Sequence, residues 1–321
     1  MTVPTNILQV PSVVIPKEDV SNLITRISQD QTPFLSLIGT NQKHNTTFEW
    51  LERGGESTDL SNAHVEGDDT AIEASSQPSQ KKNIMQISKK SFGVSGTSKE
   101  VDVHGRESLV AEQLEVKGIA LRTDKEGIVL NNQAGGLGNN TSTARTLAGL
   151  PTWLQTNVSR GSGGANATQT AGMPSATVTA GTAAALTEAR LKDVIKSMFD
   201  NGAKVNGATV FVGSFNKQAI SNGFTGANTR NIIMDSKATV HSSVDFYVTD
   251  FGQVKVVTSL NQAASDCFVI DPNYVKLAEL RKEKLTHLGK SGDSEKYQII
   301  TEYSIEVNEK GLGVVADCTT S

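Results

Sequence analysis

Cysteine and aromatic residues are scarce in this sequence. The 321 residues include two cysteines, Cys267 and Cys318, and aromatic side chains make up 5% of the chain. Because the two cysteines are distant in sequence and neither has a CxxC neighbour, neither a disulfide framework nor a zinc site is predicted. We expect both cysteines to be buried thiols.

Long apolar runs and clusters of basic residues are also missing. No stretch approaches the roughly 18 apolar residues of a membrane-spanning helix, and the amino terminus lacks the charged and apolar regions of a signal peptide. The net charge is -4 and no run is rich in lysine and arginine, which argues against tight nucleic-acid binding by the chain as a free domain. We expect a soluble, cytoplasmic protein with no membrane partner.

Motifs for catalysis and metal binding are weak. Ser214 and Lys217 match the S-x-x-K spacing of penicillin-binding enzymes, but the S-D-N and K-T-G partners are missing. Ser214 is also explained as the N-cap of a predicted helix. Gly289-Lys290-Ser291 resembles the end of a P-loop, yet Lys284 occupies the position of the required leading glycine. The five histidines show no HxxxH or HExxH spacing, so no metal site or cofactor is predicted.

The longest stretch with an unbroken helical pattern and no proline runs from Ser98 to Asn132. Apolar residues at four- and seven-residue steps define one face of this helix: Val110, Leu114, Leu121 and Ile128. Charged residues are predicted to point outward: Glu112, Glu115, Arg122 and Glu126. Ser98 is the predicted cap, and the glycine- and asparagine-rich sequence from Asn131 ends the helix. We expect one long spine helix, about 40 Å in length, that lies across a sheet.

Two strands are predicted before the spine helix, at residues 46–53 and 84–94. The residues between them, Gly54 to Lys82, are dominated by Ser, Asp, Glu, Gly and Asn and have almost nothing to bury. Such a hairpin cannot be stabilised by a core of its own, so we expect it to be disordered alone or held by another subunit. Before these strands, three prolines favour an extended arm, followed by a short helix and turn over 17–38.

The chain after the spine helix begins with a low-complexity region. Residues 134–185 are mostly Gly, Ala, Thr, Ser and Asn, and the apolar island at 147–154 is predicted to form a strand and turn. Thr187 is the predicted cap of a helix at 188–201.

Strands dominate the rest of the chain. The pattern predicts a strand at 208–212, a helix from Ser214 to Phe224, and a hairpin at 245–259 that turns at 250–252. It then predicts strands at 266–271 and 275–281 and a last antiparallel pair, 296–307 with 311–316. This order predicts an α+β fold.

Several segments, in this order, resemble the major capsid proteins of tailed bacteriophages with the Hong Kong 97 (HK97) type of fold, which encapsulin shells also use. The likeness extends over nearly the whole chain. It depends on the spine helix and on these segments: Thr32 to Gly39 (TPFLSLIG), Phe48-Glu49-Trp50, Leu147 to Leu150 (LAGL), Val210 to Ser214 (VFVGS), Val244 to Gly252 (VDFYVTDFG) and Phe268 to Pro272 (FVIDP).

The resemblance implies an HK97-like capsid fold of six segments. These are an N-terminal arm (1–45), an extended β-hairpin loop (46–97), the spine helix with the first part of a peripheral domain (98–150), a flexible loop rich in Gly, Ala and Thr (151–182), an axial domain (183–265) and the returning strands of the peripheral domain (266–321). No long, charged helical segment precedes the arm, so a fused scaffolding domain is not expected.

The function implied by the resemblance is structural and not enzymatic. Copies of the chain would assemble in the host cytoplasm, as pentamers and hexamers, into an icosahedral virion shell around double-stranded DNA. The DNA would be bound by non-specific contacts, and scaffolding, portal and decoration proteins are possible partners; no cofactor is implied. An encapsulin-like compartment is the alternative, and a serine hydrolase using Ser214 and Lys217 is the alternative from a different class. The candidates for subunit contacts are Phe48, Trp50, Arg53, Lys89, Phe92 and Glu115.

Overall fold

The computed structural model describes residues 32–54, 58–67, 69, 77–101, 109–139, 141–224, 246–290 and 292–320. The predicted arm before residue 32, and most of the helix and turn at 17–38, lie outside the described residues. The helices are α1 (Pro33–Leu37), α2 (Gly96–Glu100), α3 (Leu109–Leu130), α4 (Leu150–Trp153), α5 (Glu188–Asp200) and α6 (Ser214–Gly223).

The strands form two large sheets and two small hairpins. They are β1 (Gly39–Gln42), β2 (Thr47–Glu52), β3 (Ser79–Ile84), β4 (Gln86–Ser95), β5 (Val158–Ser159), β6 (Gln169–Thr170), β7 (Met173–Pro174), β8 (Thr209–Val212), β9 (Phe246–Thr249), β10 (Gly252–Thr258), β11 (Cys267–Ile270), β12 (Val275–Leu288), β13 (Ser294–Val307) and β14 (Leu312–Val315). The four-stranded sheet has the order β1-β12-β13-β4, and the six-stranded sheet has the order β5-β14-β11-β8-β10-β9. The expected α+β architecture is confirmed.

The spine helix is present, and its predicted start near Gly105 lies outside the described residues. Its 22 described residues span about 33 Å, and it ends at Leu130, directly before the predicted stop at Asn131. Ser98 does not cap it. Ser98 lies inside the separate helix α2, whose N-cap is Ser95, and the Ser98 amide donates a hydrogen bond to Ser95 Oγ over 3.3 Å.

The faces of α3 agree with the predicted pattern at Leu121, Glu115 and Arg122 but not at Glu126. The helix packs along β4 and β13, and Leu121 is 1% exposed, as predicted for the apolar face. Arg122 and Glu115 are exposed, as predicted. Glu126 is fully buried instead of outward, because its carboxylate accepts hydrogen bonds from elements that adjoin the helix near its carboxyl end.

Two apolar cores lie on opposite faces of the six-stranded sheet. Phe211 and Phe268 enter the core shared with α1, α4 and the long sheet, while Val210 and Val269 enter the core under α5. Both faces of β8 and β11 are therefore buried, which explains their continuous apolar sequences. The helix cap predicted at Thr187 is confirmed, since its side chain accepts a hydrogen bond from the Arg190 amide.

Three predictions for the chain after the spine helix are wrong. The segments 296–307 and 311–316 do not pair, because β12 and β4 occupy both edges of β13, and a 3-10 turn at Glu309–Gly311 leads the chain to the other sheet, where β14 pairs with β11 and β5. The island at 147–154 contains the buried helix α4 instead of a strand, with Pro151 in the first turn, where proline is tolerated. The N-cap of α6 is Gly213 instead of Ser214.

We expect replacement of Leu121 by aspartate to destabilise the subunit. The substitution removes a buried apolar side chain and places a charge against the sheet, at a cost of at least about 3 kcal/mol. Thermal and urea unfolding of the purified variant measure this cost. The exposed Glu115→Lys change on the same helix is the control and should leave the midpoint nearly unchanged. Equal midpoints for wild type and Leu121→Asp would contradict the packing of α3 on the sheet.

A second expectation concerns Ser214. Its exposed side chain makes no capping hydrogen bond, so we expect Ser214→Ala to change the free energy of unfolding by less than about 0.5 kcal/mol. Thr187→Ala is the matched variant at a true cap and should cost about 1 kcal/mol. A loss at Ser214 as large as the loss at Thr187 would show that the hydroxyl has a structural role.

Candidate assembly surfaces

The extended hairpin is formed by β2 and β3, and most of the described residues of its tip are exposed. The two strands pair in antiparallel register from Thr47 opposite Ile84 to Glu52 opposite Ser79. The residues between the strands, 53–78, form the hairpin tip. All described residues from 58 to 67 are exposed, and the apolar side chains of Leu60 and Val65 are 96% and 80% exposed. These side chains do not pack on their own subunit.

Aromatic packing anchors the root of the hairpin to the body of the subunit. Phe48 is 6% exposed and stacks on Trp50, with ring centroids 5.6 Å apart, and Trp50 packs on Trp153 at 5.2 Å. Met85 and Ala278 complete this small core around Phe48. The structure therefore places Phe48 and Trp50, two of the candidate subunit contacts, within the subunit as anchors of the hairpin.

Polar contacts also hold the hairpin root. Lys81 Nζ donates a hydrogen bond to Gln169 Oε1 over 3.0 Å, and the amide of Lys82 donates to the Gly172 carbonyl. Gly172 has a φ of +77°, and a Cβ there would clash with the backbone of β3, so this contact requires glycine. Burial raises the pKa of the nearby Glu309 carboxyl, and the Glu52 carboxylate adds to the rise. The hairpin direction is thus fixed at its root.

One face of the long sheet is covered by α3. Lys90 on β4 forms an ion pair with Asp124, and Lys125 Nζ lies 2.9 Å from Glu279 Oε1 on β12. Further from the core, Phe92 stacks on Tyr297 at 5.2 Å on the same face. Phe92 is therefore half-buried by its own subunit.

The α2 end of this sheet carries a network of charges. Glu295 forms an ion pair with Lys99 of α2 and accepts a hydrogen bond from the Tyr297 hydroxyl over 2.9 Å. These two hydrogen bonds, the one from Lys99 first, lower the pKa of the Glu295 carboxyl to about 2. The charges join α2 to the sheet end at the surface, where such pairs contribute little to stability.

The opposite face of β4, β12 and β13 is not covered by α3 and is called the open face here. Its exposed charged side chains include Lys89, Lys284 and Lys296. Closer to the core, Glu302 is 3% exposed and is neutralised by Arg145 and Arg281, whose nitrogens lie 2.6 and 2.8 Å from its oxygens. A cavity of about 500 Å³ adjoins this end of the face, lined by Ile87 and the loop from Thr141 to Arg145.

Glu126 connects three parts of the subunit. Its two carboxylate oxygens accept hydrogen bonds from the Leu35 amide of α1, over 3.1 Å, and from the Asn261 side chain, over 3.2 Å, in the loop after β10. Burial raises the pKa of the Glu126 carboxyl, and the hydrogen bonds act in the opposite direction. Glu126 therefore fixes α1 against the carboxyl end of α3.

We expect Glu126→Gln to change the pH dependence of stability. A raised pKa means that the folded state binds the proton more tightly than the unfolded state does. The stability contributed by this proton is full below the ordinary value of 4.5 and is lost as pH rises through the folded-state pKa. Glutamine keeps an acceptor for the Leu35 amide, and the Asn261 side chain can rotate to present its oxygen. The free energy of unfolding of the variant should therefore exceed that of wild type near pH 7, with the difference shrinking toward pH 4.5.

The exposed Glu115→Gln on the same helix is the control for this measurement. Chemical denaturation at several pH values gives the free energy of unfolding for each protein. A constant difference between Glu126→Gln and wild type across the range would contradict the assignment of a raised pKa to Glu126.

Two remaining candidate contacts lie at the surface. Arg53 is exposed at the start of the hairpin tip, and Glu115 is exposed on α3. The structure brings Phe48 and Trp50 together. The other four candidates do not join them in one site, because they are distributed over the hairpin, both faces of the sheet and the helix: Arg53, Lys89, Phe92 and Glu115. The sequence did not identify Lys284, Lys296 or Glu126 as functional residues. The alternation of residues around Lys284 predicts a strand, but only the register of that strand shows which face of the sheet Lys284 occupies.

The described residues contain no group of three or more His, Cys, Asp or Glu side chains placed to hold a metal ion. In the same part of the chain, no helix has the length and apolar character needed to cross a membrane. Cys267 and Cys318 are both free and buried, as predicted from the sequence, and burial is the main cause that raises the pKa of each thiol.

Known capsid proteins resemble this chain in sequence and in structure. The major capsid protein of Escherichia phage Phieco32 is 36% identical over 115 residues, which are 36% of this chain and 32% of that relative. The alignment thus spans about a third of the relative's length.

Solved structures share the fold over nearly the whole chain. The capsid of a native GTA particle has a TM-score of 0.65 at 11% identity and covers 97% of this chain and 98% of its own. The Cyanophage A-1(L) capsid has a TM-score of 0.63 at 12% identity, with 98% and 99% covered. The SrpI encapsulin of Synechococcus elongatus has a TM-score of 0.56 at 9% identity, with 95% and 94% covered.

A family model described as SU10 major capsid protein matches residues 3–319, almost the full length. The fold is the HK97-like capsid fold that the sequence resemblance implied. The chain therefore belongs to the SU10 major capsid protein family.

Proposed function

We propose that many copies of this chain assemble into a closed icosahedral shell that encloses double-stranded DNA. The observation that carries this proposal is the hairpin, whose root is fixed by buried aromatic and polar contacts while its tip exposes apolar and charged side chains. A tip of this composition gains stability when it is buried on another molecule. Family membership supports a copy of the same chain as that molecule.

The geometry of the hairpin supports contacts between copies. The tip has 26 residues, so each of its two limbs can reach about 40 Å when extended. A segment of this reach can contact an adjacent copy of the chain in a shell. Repeated over a closed shell, many modest contacts give a large total stability without one very tight pair.

Four of the sequence candidates are kept as contacts between subunits: Arg53, Lys89, Phe92 and Glu115. We assign Phe48 and Trp50 the different role of holding the hairpin root. We retain the division into arm, extended loop, spine, axial domain and returning strands, with two modifications. The extended loop ends at β3, because β4 pairs with β13 in the four-stranded sheet. The six-stranded sheet takes β5 from the segment at 151–182, β8, β9 and β10 from the segment at 183–265, and β11 and β14 from the last segment, so the axial unit includes strands of all three segments.

The shell would have no catalytic role, and its DNA contacts would be electrostatic and independent of sequence. Scaffolding, portal and decoration proteins are further proposed partners. An encapsulin-like compartment is the second candidate, since the same fold occurs in an encapsulin. The match to a phage capsid family over 3–319 favours the phage shell. The contents of purified particles, DNA or a cargo protein, decide between these two.

We expect removal of the hairpin tip to abolish shell formation without unfolding the subunit. Replacing residues 53–78 with Asn-Gly joins Glu52 to Ser79 through a two-residue turn that fits the observed register. The aromatic root and both cores stay intact, so the thermal midpoint should change little. Sedimentation velocity and negative-stain microscopy should show closed shells for wild type and only small species for the variant.

A second variant separates the chemistry of the tip from its length. It replaces residues 55–77 with a Gly/Ser linker of equal length. The linker keeps the length of the tip but removes its apolar and charged side chains, so this variant should also fail to assemble. Closed shells formed by the shortened variant would contradict the proposal that the tip joins subunits. Failure of wild type to form shells under any condition would contradict the proposed function itself.

A further inference from the structure

The open face carries lysines whose positions follow from strand register. Side chains directly opposite each other on paired strands share a face, so Lys284, Ile300 and Lys89 form one row across the sheet. Two residues further on, Thr286, Gln298 and Ser91 form the next row, and then Leu288, Lys296 and Gly93 form the third. The neighbouring Lys90 points to the other face, where it forms its ion pair with Asp124.

The three lysines are separated from acidic side chains. Lys89, Lys284 and Lys296 are exposed, and among the described residues none of them forms an ion pair. The one carboxylate in these rows or the adjoining row, Glu302, is buried and neutralised by two arginines. Since strands lie about 4.8 Å apart, Lys89 and Lys284 are about 10 Å apart. The open face is therefore a positive surface on a chain of net charge -4.

The hairpin tip has the opposite charge. Between Gly54 and Pro78 the sequence has no lysine or arginine and has these carboxylates: Glu56, Asp59, Glu66, Asp68, Asp69 and Glu73. Three of them, Asp59, Glu66 and Asp69, are exposed in the described residues, near the exposed Leu60 and Val65. Because residues 58–67 are all exposed, this described part of the tip does not pack on the open face of its own subunit.

We propose that the open face of one subunit receives the acidic hairpin tip of a second copy. Lys89, Lys284 and Lys296 pair with the carboxylates of Asp59, Glu66 and Asp69. The half-buried Ile300, between two lysines, contacts the apolar side chains of the tip. This inference rests on the proposed shell function and specifies the surface and the chemistry by which the hairpin joins two copies.

The physical consequence is a contact sensitive to charge and to salt. At physiological ionic strength, exposed charges act over about 8 Å, so the pairing steers the tip to this face and opposes wrong placements. Like charges placed together at an interface oppose association. Reversal of the lysines should therefore prevent docking, and reversal of both partners should restore it.

A charge-exchange experiment tests this pairing. The variant Lys89→Glu, Lys284→Glu and Lys296→Glu should keep the wild-type thermal midpoint as a monomer and form at least about tenfold fewer shells, measured by sedimentation velocity. Adding Asp59→Lys, Glu66→Lys and Asp69→Lys to the same chain should restore shell formation. The control Lys196→Glu, Lys204→Glu and Lys255→Glu makes the same change in net charge at exposed sites away from the open face and should assemble as wild type does.

Zero-length carbodiimide crosslinking of mixed ¹⁴N- and ¹⁵N-labelled shells gives a direct readout. Mass spectrometry should find crosslinks between differently labelled chains that join Asp59, Glu66 or Asp69 to Lys89, Lys284 or Lys296. Wild-type shells whose tip carboxylates crosslink only elsewhere would overturn the inference. Normal assembly of the lysine-reversed variant, or equal loss in the control, would also overturn it while leaving the proposed shell function intact.

Discussion

The antiparallel pairing of β12 with β13, two strands of 14 residues each, is the interaction on which the rest of the subunit depends. Its inner half contributes Leu277, Tyr303 and Ile305 to the core shared with the six-stranded sheet. Its outer half extends beyond that core and supports α3 on one face. Because β13 is paired on both edges, the chain after it must leave for the other sheet. This one ladder thus positions the spine helix, both sheets and the open face.

Buried charged groups specify how distant segments meet on this ladder. Glu302 joins β13 to Arg145, and Glu126 joins α3 to α1 and to the loop after β10. Removing one partner of such a group leaves the other desolvated and unpaired, which costs more than the intact pair contributes. Apolar packing alone would tolerate small shifts between these elements. The polar contacts exclude those shifts and fix the relative positions of β13, α3 and α1.

The elements that the sequence predicted are those in which apolar residues repeat at the regular spacing of a helix or a strand. Helix α5, with its cap at Thr187, and the β9–β10 hairpin follow from spacing and turn residues within a few positions. The buried position of Glu126 and the separation of β13 from β14 depend on partners far away in sequence, which local patterns do not contain. The hairpin tip could be identified because its composition excludes a core. The open face could not, since Lys284 and Lys296 become neighbours of Lys89 only through the register of three strands.

Positive and negative side chains lie on different surfaces of this chain, so copies with a negative net charge can still associate with each other. Subunits of net charge -4 repel weakly at long range, which opposes non-specific aggregation. A positive face and a negative tip on the same molecule attract at short range only when they meet in one orientation. Each contact of this kind is weak and screened by salt, so a misplaced subunit can dissociate. Correctly placed subunits engage several neighbours at once, and the summed contacts hold the closed assembly. A regular shell therefore requires individual contacts that are weak. An exposed, charged tip forms such contacts, whereas a large apolar interface would bind too tightly for misplaced subunits to dissociate.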